Sequence, residues 1–133
     1  MRYMFRDLSF EVQDGLHDQS MIVLVDDERV ALTLARDVKD SALKNYVDDA
    51  VTELDASMNA YKLESREEKQ IAGRPGVVLV QSAVSPEGKP VAQRQAYVEL
   101  GREVLVVTAT SPSQYANEGK ATFDKVLATL KTG

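Results

Sequence analysis

The chain has 133 residues, 44% of them hydrophobic, and a formal net charge of −5, which suits one core-forming domain over 1–133 and argues against disorder or sequence-independent nucleic-acid binding. It has no cysteine, so disulfides, thiolate catalysis, iron–sulfur clusters, cysteine zinc sites and a lipid-bearing cysteine are excluded. Arg6 and Asp7 arrive too early for a signal-peptide core and no apolar run is long enough to span a membrane, so a soluble cytoplasmic protein without stable membrane insertion is expected.

In chain order, Leu8–Val12 alternates and reads as a short strand, and Asp14-Gly15 supplies a turn. Met21–Val25 is five consecutive apolar residues and reads as a strand apolar on both faces. Such a strand needs cover on its second face from a helix, a second subunit or an apolar ligand. Asp26-Asp27-Glu28 makes a charged turn, and Arg29–Arg36 resumes as the partner strand of a hairpin. There Val30, Leu32 and Leu34 take one face, and Ala31, Thr33 and Ala35 the other.

Asp40-Ser41 offers an N-cap for a helix over Ser41–Met58. Its stripe is Leu43, Val47, Ala50, Leu54 and Met58, with Lys44, Asp48, Asp49, Glu53 and Asp55 toward water. Tyr61–Gln70 is polar and reads as an edge-like strand, followed by a tight connection at Ala72–Gly76. Val77–Val84 and Pro90–Leu100 are strands joined by Pro86-Glu87-Gly88. Val104–Thr110 is the last strand, and a loop begins at Ser111. The closing helix, over Glu118–Lys131, carries Phe123, Val126, Leu127 and Leu130 on one stripe. Strands, helix, meander, helix is the order of an α+β domain with a mostly antiparallel sheet.

Catalytic chemistry finds little to work with. His17 is the sole histidine and sits in a turn, so neither a Ser/His/Asp triad nor a histidine metal site can be assembled around it with ease. Asp26-Asp27-Glu28 lacks the ligand spacing and glycine turn of a calcium loop. Gly73-Arg74-Pro75-Gly76 lacks the glycines and Lys-Ser/Thr of a phosphate loop. No catalytic residue, metal or cofactor is therefore expected. The sheet alternation is more suggestive. Gln93, Gln95 and Tyr97 share one face of their strand, while Ala92, Arg94, Ala96 and Val98 share the other. Met21, Val23, Ala31 and Thr33 can form a smooth patch with a few hydrogen-bonding groups. Such a patch suits an apolar helix, unless the protein's own helices simply cover it.

Several motifs carry a resemblance: Leu8–Gly15, Asp18-Gln19-Ser20 before an apolar strand, Leu34-Ala35-Arg36-Asp37, a helix with Tyr46-Val47, a Gly73 turn before Val77–Leu79, and Arg94-Gln95-Ala96-Tyr97. In this order they resemble the DcrB-like domain family, and within it the Eag chaperones, the effector-associated adaptors of bacterial type VI secretion. The resemblance implies a PsbP-like fold with a curved antiparallel sheet and two main helices. It implies binding of the N-terminal transmembrane segments of PAAR- or Rhs-type effectors, shielding of those segments, and loading of the effector onto the secreted spike. The implied client-binding residues are Met21, Val23, Thr33 and Gln95. A second groove glutamine, on the first helix, falls at Ala50 here, a departure from the pattern. A homodimer is also implied.

Three other readings compete. A DcrB-like module with another protein partner would lack an adjacent effector gene. An enzyme would show a concave site of converging titratable groups. An envelope lipoprotein would need a signal and a lipid-bearing cysteine.

Overall fold

The Met21–Val25 run lies at one edge of an antiparallel sheet as β1 (Met21–Asp26), paired in a hairpin with β2 (Val30–Val38). The computed structural model describes residues 21–26 and 29–130. The strand expected at Leu8–Val12, the turn holding His17 and the last residue of the predicted C-terminal helix lie outside them. After β2 the chain crosses through helix α1 (Leu43–Ser57) and then runs a meander: β3 (Asn59–Ile71), β4 (Arg74–Val84), β5 (Pro90–Leu100) and β6 (Glu103–Pro112). A single 3-10 turn at Ser113–Tyr115 leads into helix α2 (Ala116–Thr129). Among the described residues the sheet has six strands in the order β1-β2-β6-β5-β4-β3, so β2 returns to pair with the last of them. The fold is the expected α+β class.

Each helix covers one face. Toward α2 the sheet presents Val30, Leu32, Leu34, Ala96, Val98, Leu105, Val107 and Ala109, which pack with Phe123, Val126 and Leu130. Toward α1 it presents Val77, Leu79, Tyr97 and Val104, which receive Leu43 and Val47. The alternation read in β2 is therefore real: Val30, Leu32 and Leu34 are at most 3% exposed, while Ala31, Thr33 and Ala35 are half-buried on the other side. Gly119 of α2 sits against Ser111 of β6. A Cβ there would stand 2.8 Å from the Oγ of Ser111, which explains a glycine inside a helix where alanine has the higher propensity.

Several boundaries differ from the sequence reading. Asp40 and Ser41 do not cap α1. The N-cap is Ala42, in extended backbone and without a side-chain hydrogen bond, and the helix begins at Leu43, its first residue with a core to enter. The Ala72–Gly76 connection shrinks to Ala72-Gly73, because Arg74, Pro75 and Gly76 pair with Ile71, Gln70 and Lys69. Both turn residues have positive φ, 54° at Ala72 and 77° at Gly73, the handedness that a two-residue hairpin requires. At the other end β6 runs past Thr110, since Ser111 and Pro112 pair with Ala92 and Val91. Polar Tyr61–Gln70 is an edge strand as read, extended to Asn59–Ile71, and its exposed Lys62, Glu64, Glu67, Glu68 and Lys69 give a free edge a charged surface.

Phe123 is 1% exposed and is the largest of the sealed side chains joining α2 to the sheet. Phe123→Ala should lower the unfolding free energy by about 3–5 kcal/mol, the range for truncating a buried aromatic. An unfolding free energy from urea titration that falls by less than a quarter of that would show that α2 is not held through this residue.

Candidate functional site

The register aligns the α1 face in transverse rows, because directly paired residues of antiparallel strands point to the same side. One row runs Thr33, Thr108, Gln95, Leu79 across β2, β6, β5 and β4. The next runs Ala35, Val106, Tyr97, Val77, and the one on the other side Ala31, Thr110, Gln93, Gln81. Thr33 and Gln95, two of the residues singled out from the sequence, thus share a single row, and in the β1 register Met21 is the partner of Ala35. The hairpin register pairs Val23 directly with Thr33.

Helix α1 lies over β3, β4 and β5. At one end α1 also reaches β6 and β2, through Val104, Val106 and the Tyr46–Asp37 hydrogen bond, but among the described residues no helix covers the rest of this face on β2 and β6. There the half-buried side chains are Ala31, Thr33, Ala35, Val106, Thr108 and Thr110, small or hydroxyl-bearing for the most part. Adjacent strands are about 4.8 Å apart, so the strip from β1 to β6 is about 10 Å across, close to the width of an α-helix with its side chains. Between α1 and the sheet, a cavity of about 430 Å³ is lined by Ala50, Glu53, Leu54, Ser57, Gln95 and Tyr97. Ala50, the departure from the family pattern, therefore sits across from Gln95, where its short side chain helps to leave a gap.

An amide network floors this region. Gln81 donates through Nε2 to Oε1 of Gln95 at 3.0 Å and to Oε1 of Gln93 at 3.3 Å. Gln95 donates to the Thr108 hydroxyl at 3.2 Å, and Gln93 to the Thr110 hydroxyl at 3.1 Å. Tyr97 donates to Oε1 of Gln95 at 2.9 Å, and Tyr61 donates to Oε1 of Gln81. Gln95 is 9% exposed, with its carbonyl oxygen taken twice and one N–H in use. It is therefore chiefly an organiser of its neighbours. The hydroxyls of Thr108 and Thr110 accept from the glutamines and keep their own protons for a further acceptor. Thr108, Thr110 and Gln81 were not singled out from the sequence. Their signal was the alternation of Thr108 and Thr110 with Val107 and Ala109.

At the far end of α1, Tyr46 meets Tyr97 edge to face at 6.0 Å and donates to Asp37 at 2.7 Å. Burial, then the hydrogen bond and charge of Asp37, raise the Tyr46 pKa well above its ordinary value. Burial raises that of Tyr97 likewise, with a smaller contribution from Tyr61. Among the described residues no group of three His, Asp or Glu side chains is placed to hold a metal ion. Nor is any helix there long and apolar enough to cross a membrane.

A family model described as DcrB matches residues 7–129. The chain belongs to the DcrB family. No curated protein matches it in sequence. Among solved structures, this DcrB-family chain is similar to PA94, a Pseudomonas aeruginosa protein of unknown function, at 22% identity and a TM-score of 0.75, over 88% of this chain and 85% of that one. It is similar to the cyanobacterial PsbP of Synechocystis sp. PCC 6803 at 12% identity and a TM-score of 0.63, over 86% and 75%. It is also similar to LpqN, described as involved in cell envelope biogenesis of Mycobacterium tuberculosis, at 17% identity and a TM-score of 0.55, over 80% and 66%. At these identities the likeness concerns the fold, which is PsbP-like as expected.

The raised tyrosine pKa values make stability depend on alkali. Below about pH 10, the ordinary tyrosine pKa, Tyr46 and Tyr97 keep their protons in both folded and unfolded chains. Above it the unfolded chain loses them first, so it binds fewer protons and the unfolding free energy falls as pH rises. Urea midpoints should drop as the pH rises past about 10, and Tyr97→Phe should shallow that drop. An unchanged slope in the variant would remove Tyr97 as its source.

Proposed function

We propose that this DcrB-family chain is a chaperone or adaptor that shields an apolar transmembrane helix of a client protein before export. The single observation that supports this reading is the helix-wide strip beside α1. Part of the α1 face is filled by the protein's own helix, and the part that no helix of the described residues covers has the width, the small side chains and the hydroxyl donors to accept a second. A transmembrane helix in water exposes hundreds of Å² of apolar surface, and covering it contributes about 25 cal/mol per Å². Ala31 and Ala35 let a helix backbone approach closely. Thr33, Thr108 and Thr110 offer hydroxyls to carbonyls or to serine and threonine on the client. Gln95 holds Thr108 in place and closes the floor.

The motif resemblance narrows the class to effector-associated chaperones of type VI secretion, with PAAR- or Rhs-type effectors as clients and the spike as destination. In that reading the protein works in the cytoplasm as a homodimer, and two strips cradle several helices. It has no catalytic turnover.

Two substitutions test the strip. Thr33→Asp puts a carboxylate on the central row and Val23→Asp puts one at its register partner, and a client helix would have to desolvate either at a cost of about several kcal/mol. Both variants should keep the wild-type circular dichroism spectrum and lose co-purification of the N-terminal apolar segment of the effector encoded beside this gene. Folded variants that still retain the segment would show that this face is not where it binds. If Val23→Asp unfolds the protein, Val23 is core and the strip ends at β2. Light scattering at about tens of micromolar, well above a micromolar dissociation constant, should give twice the chain mass. A monomer there removes the dimer.

A further inference from the structure

The opposite face of the sheet holds a second concavity that the client strip does not use. Helix α2 lies over β2, β5 and β6, and among the described residues no helix lies on the α2 side of β3 and β4. A cavity of about 760 Å³ results, within the range typical of small-molecule sites. Val78 and Val80 form its floor, and Phe123 and Leu127 its helix wall. Both valines are only half-buried, in contrast to the sealed Leu79 between them.

Arg94 enters this apolar surround from β5, directly paired with Val80. It is half-buried, and among the described residues its side chain has no hydrogen bond or ion pair. A guanidinium has five N–H donors in a planar fork suited to carboxylate and phosphate. The other lining charges do not satisfy it. Lys120 is paired with Asp124 at 3.0 Å, and Arg66 with Asp48 at 2.7 Å, leaving Lys69 and Arg94 against Glu67. On a chain with a net charge of −5, this is a local positive excess beside an apolar wall.

We propose that this cavity binds a single-chain amphipathic anion. Its carboxylate or phosphate head pairs with the Arg94 guanidinium, and its alkyl chain lies along Val78, Val80, Phe123 and Leu127. The shared chemistry is one acidic head on one chain, and a fatty acid and a phosphate-headed lipid are its two sources. The site is independent of the client strip, because β5 alternation sends Arg94 and Gln95 to opposite faces.

The test is a titration of the isotope-labelled full chain, followed by NMR, with sodium decanoate below its micelle-forming concentration. Saturable shifts centred on Val78, Val80, Arg94, Phe123 and Leu127 are expected. Decyl phosphate is run beside it, and the tighter of the two names the source of the head. Decyl maltoside, which has the chain without the charge, and acetate, which has the charge without the chain, should each bind about tenfold weaker or worse. Arg94→Gln should weaken decanoate binding about tenfold or more, the scale of a charge-assisted hydrogen bond, and Arg94→Lys should recover part of it. Thr33→Asp should leave decanoate binding unchanged.

Equal binding of decyl maltoside, or an unchanged affinity in Arg94→Gln, overturns the proposal. So do shifts centred on Thr33, Thr108 and Gln95, which would mean that the alkyl chain imitates a client helix and would leave the chaperone reading standing. If Arg94→Gln does not fold, the charged and neutral decyl probes on the natural chain decide the matter.

Discussion

The register of β5 between β4 and β6 is the constraint on which the rest depends. In Gln95, Ala96, Tyr97 and Val98 four successive residues are buried, so this strand has no face for water. Its odd-numbered residues put an amide network and a tyrosine under α1. Its even-numbered residues put alanine and valine under α2. A slip of one residue would exchange the two sets. Arg94 would enter the glutamine network, and Gln95 would face Phe123 with its hydrogen-bonding groups unmet. Each amide bond from Gln81 to Gln95 or from Gln95 to Thr108 contributes only about 1 kcal/mol net, but an unmade one in a buried position costs more than a made one contributes. The network therefore acts chiefly against wrong registers.

Much of the fold could be read from the chain because its signals were periodic. The stripe of Leu43 and Val47 and that of Phe123, Val126 and Leu130 each marked a helix and its buried side. The alternation in β2 and β5 marked the two sheet faces. The boundaries were harder, since they depend on partners distant in sequence. Pro112 belongs to a strand because Val91 pairs with it, and Arg74 because Ile71 does. Ser41 had the chemistry of a cap, yet α1 starts where Leu43 meets the sheet.

The candidate site was legible in part for the same reason. Alternation separated Gln95 from Arg94, and the turn at Asp26 to Arg29 suggested that Val23 and Thr33 would meet. Periodicity is silent on which part of a face a helix covers. The position of α1 over β3, β4 and β5 follows from the strand order, in which β2 pairs with β6 and lies far from β3. Thr108 and Thr110 gained their place at the strip only through that pairing, and Gln95 proved to be an organiser because Gln81 and Tyr97 both donate to it.

The pairing of β2 with the last strand also implies an order of assembly. The meander from β3 to β6 is built from short hairpins, whose closure is fast and entropically cheap. Joining Ala31 to Thr110 instead closes a loop that contains α1 and most of the meander. Loop-closure entropy places that contact late in folding. A chain still being synthesised, with β6 inside the ribosome, has the β1–β2 hairpin but no strand to join it to the rest of the sheet, and so no strip. The strip comes into being only once β6 has emerged, so a copy halted before that strand lacks this surface altogether.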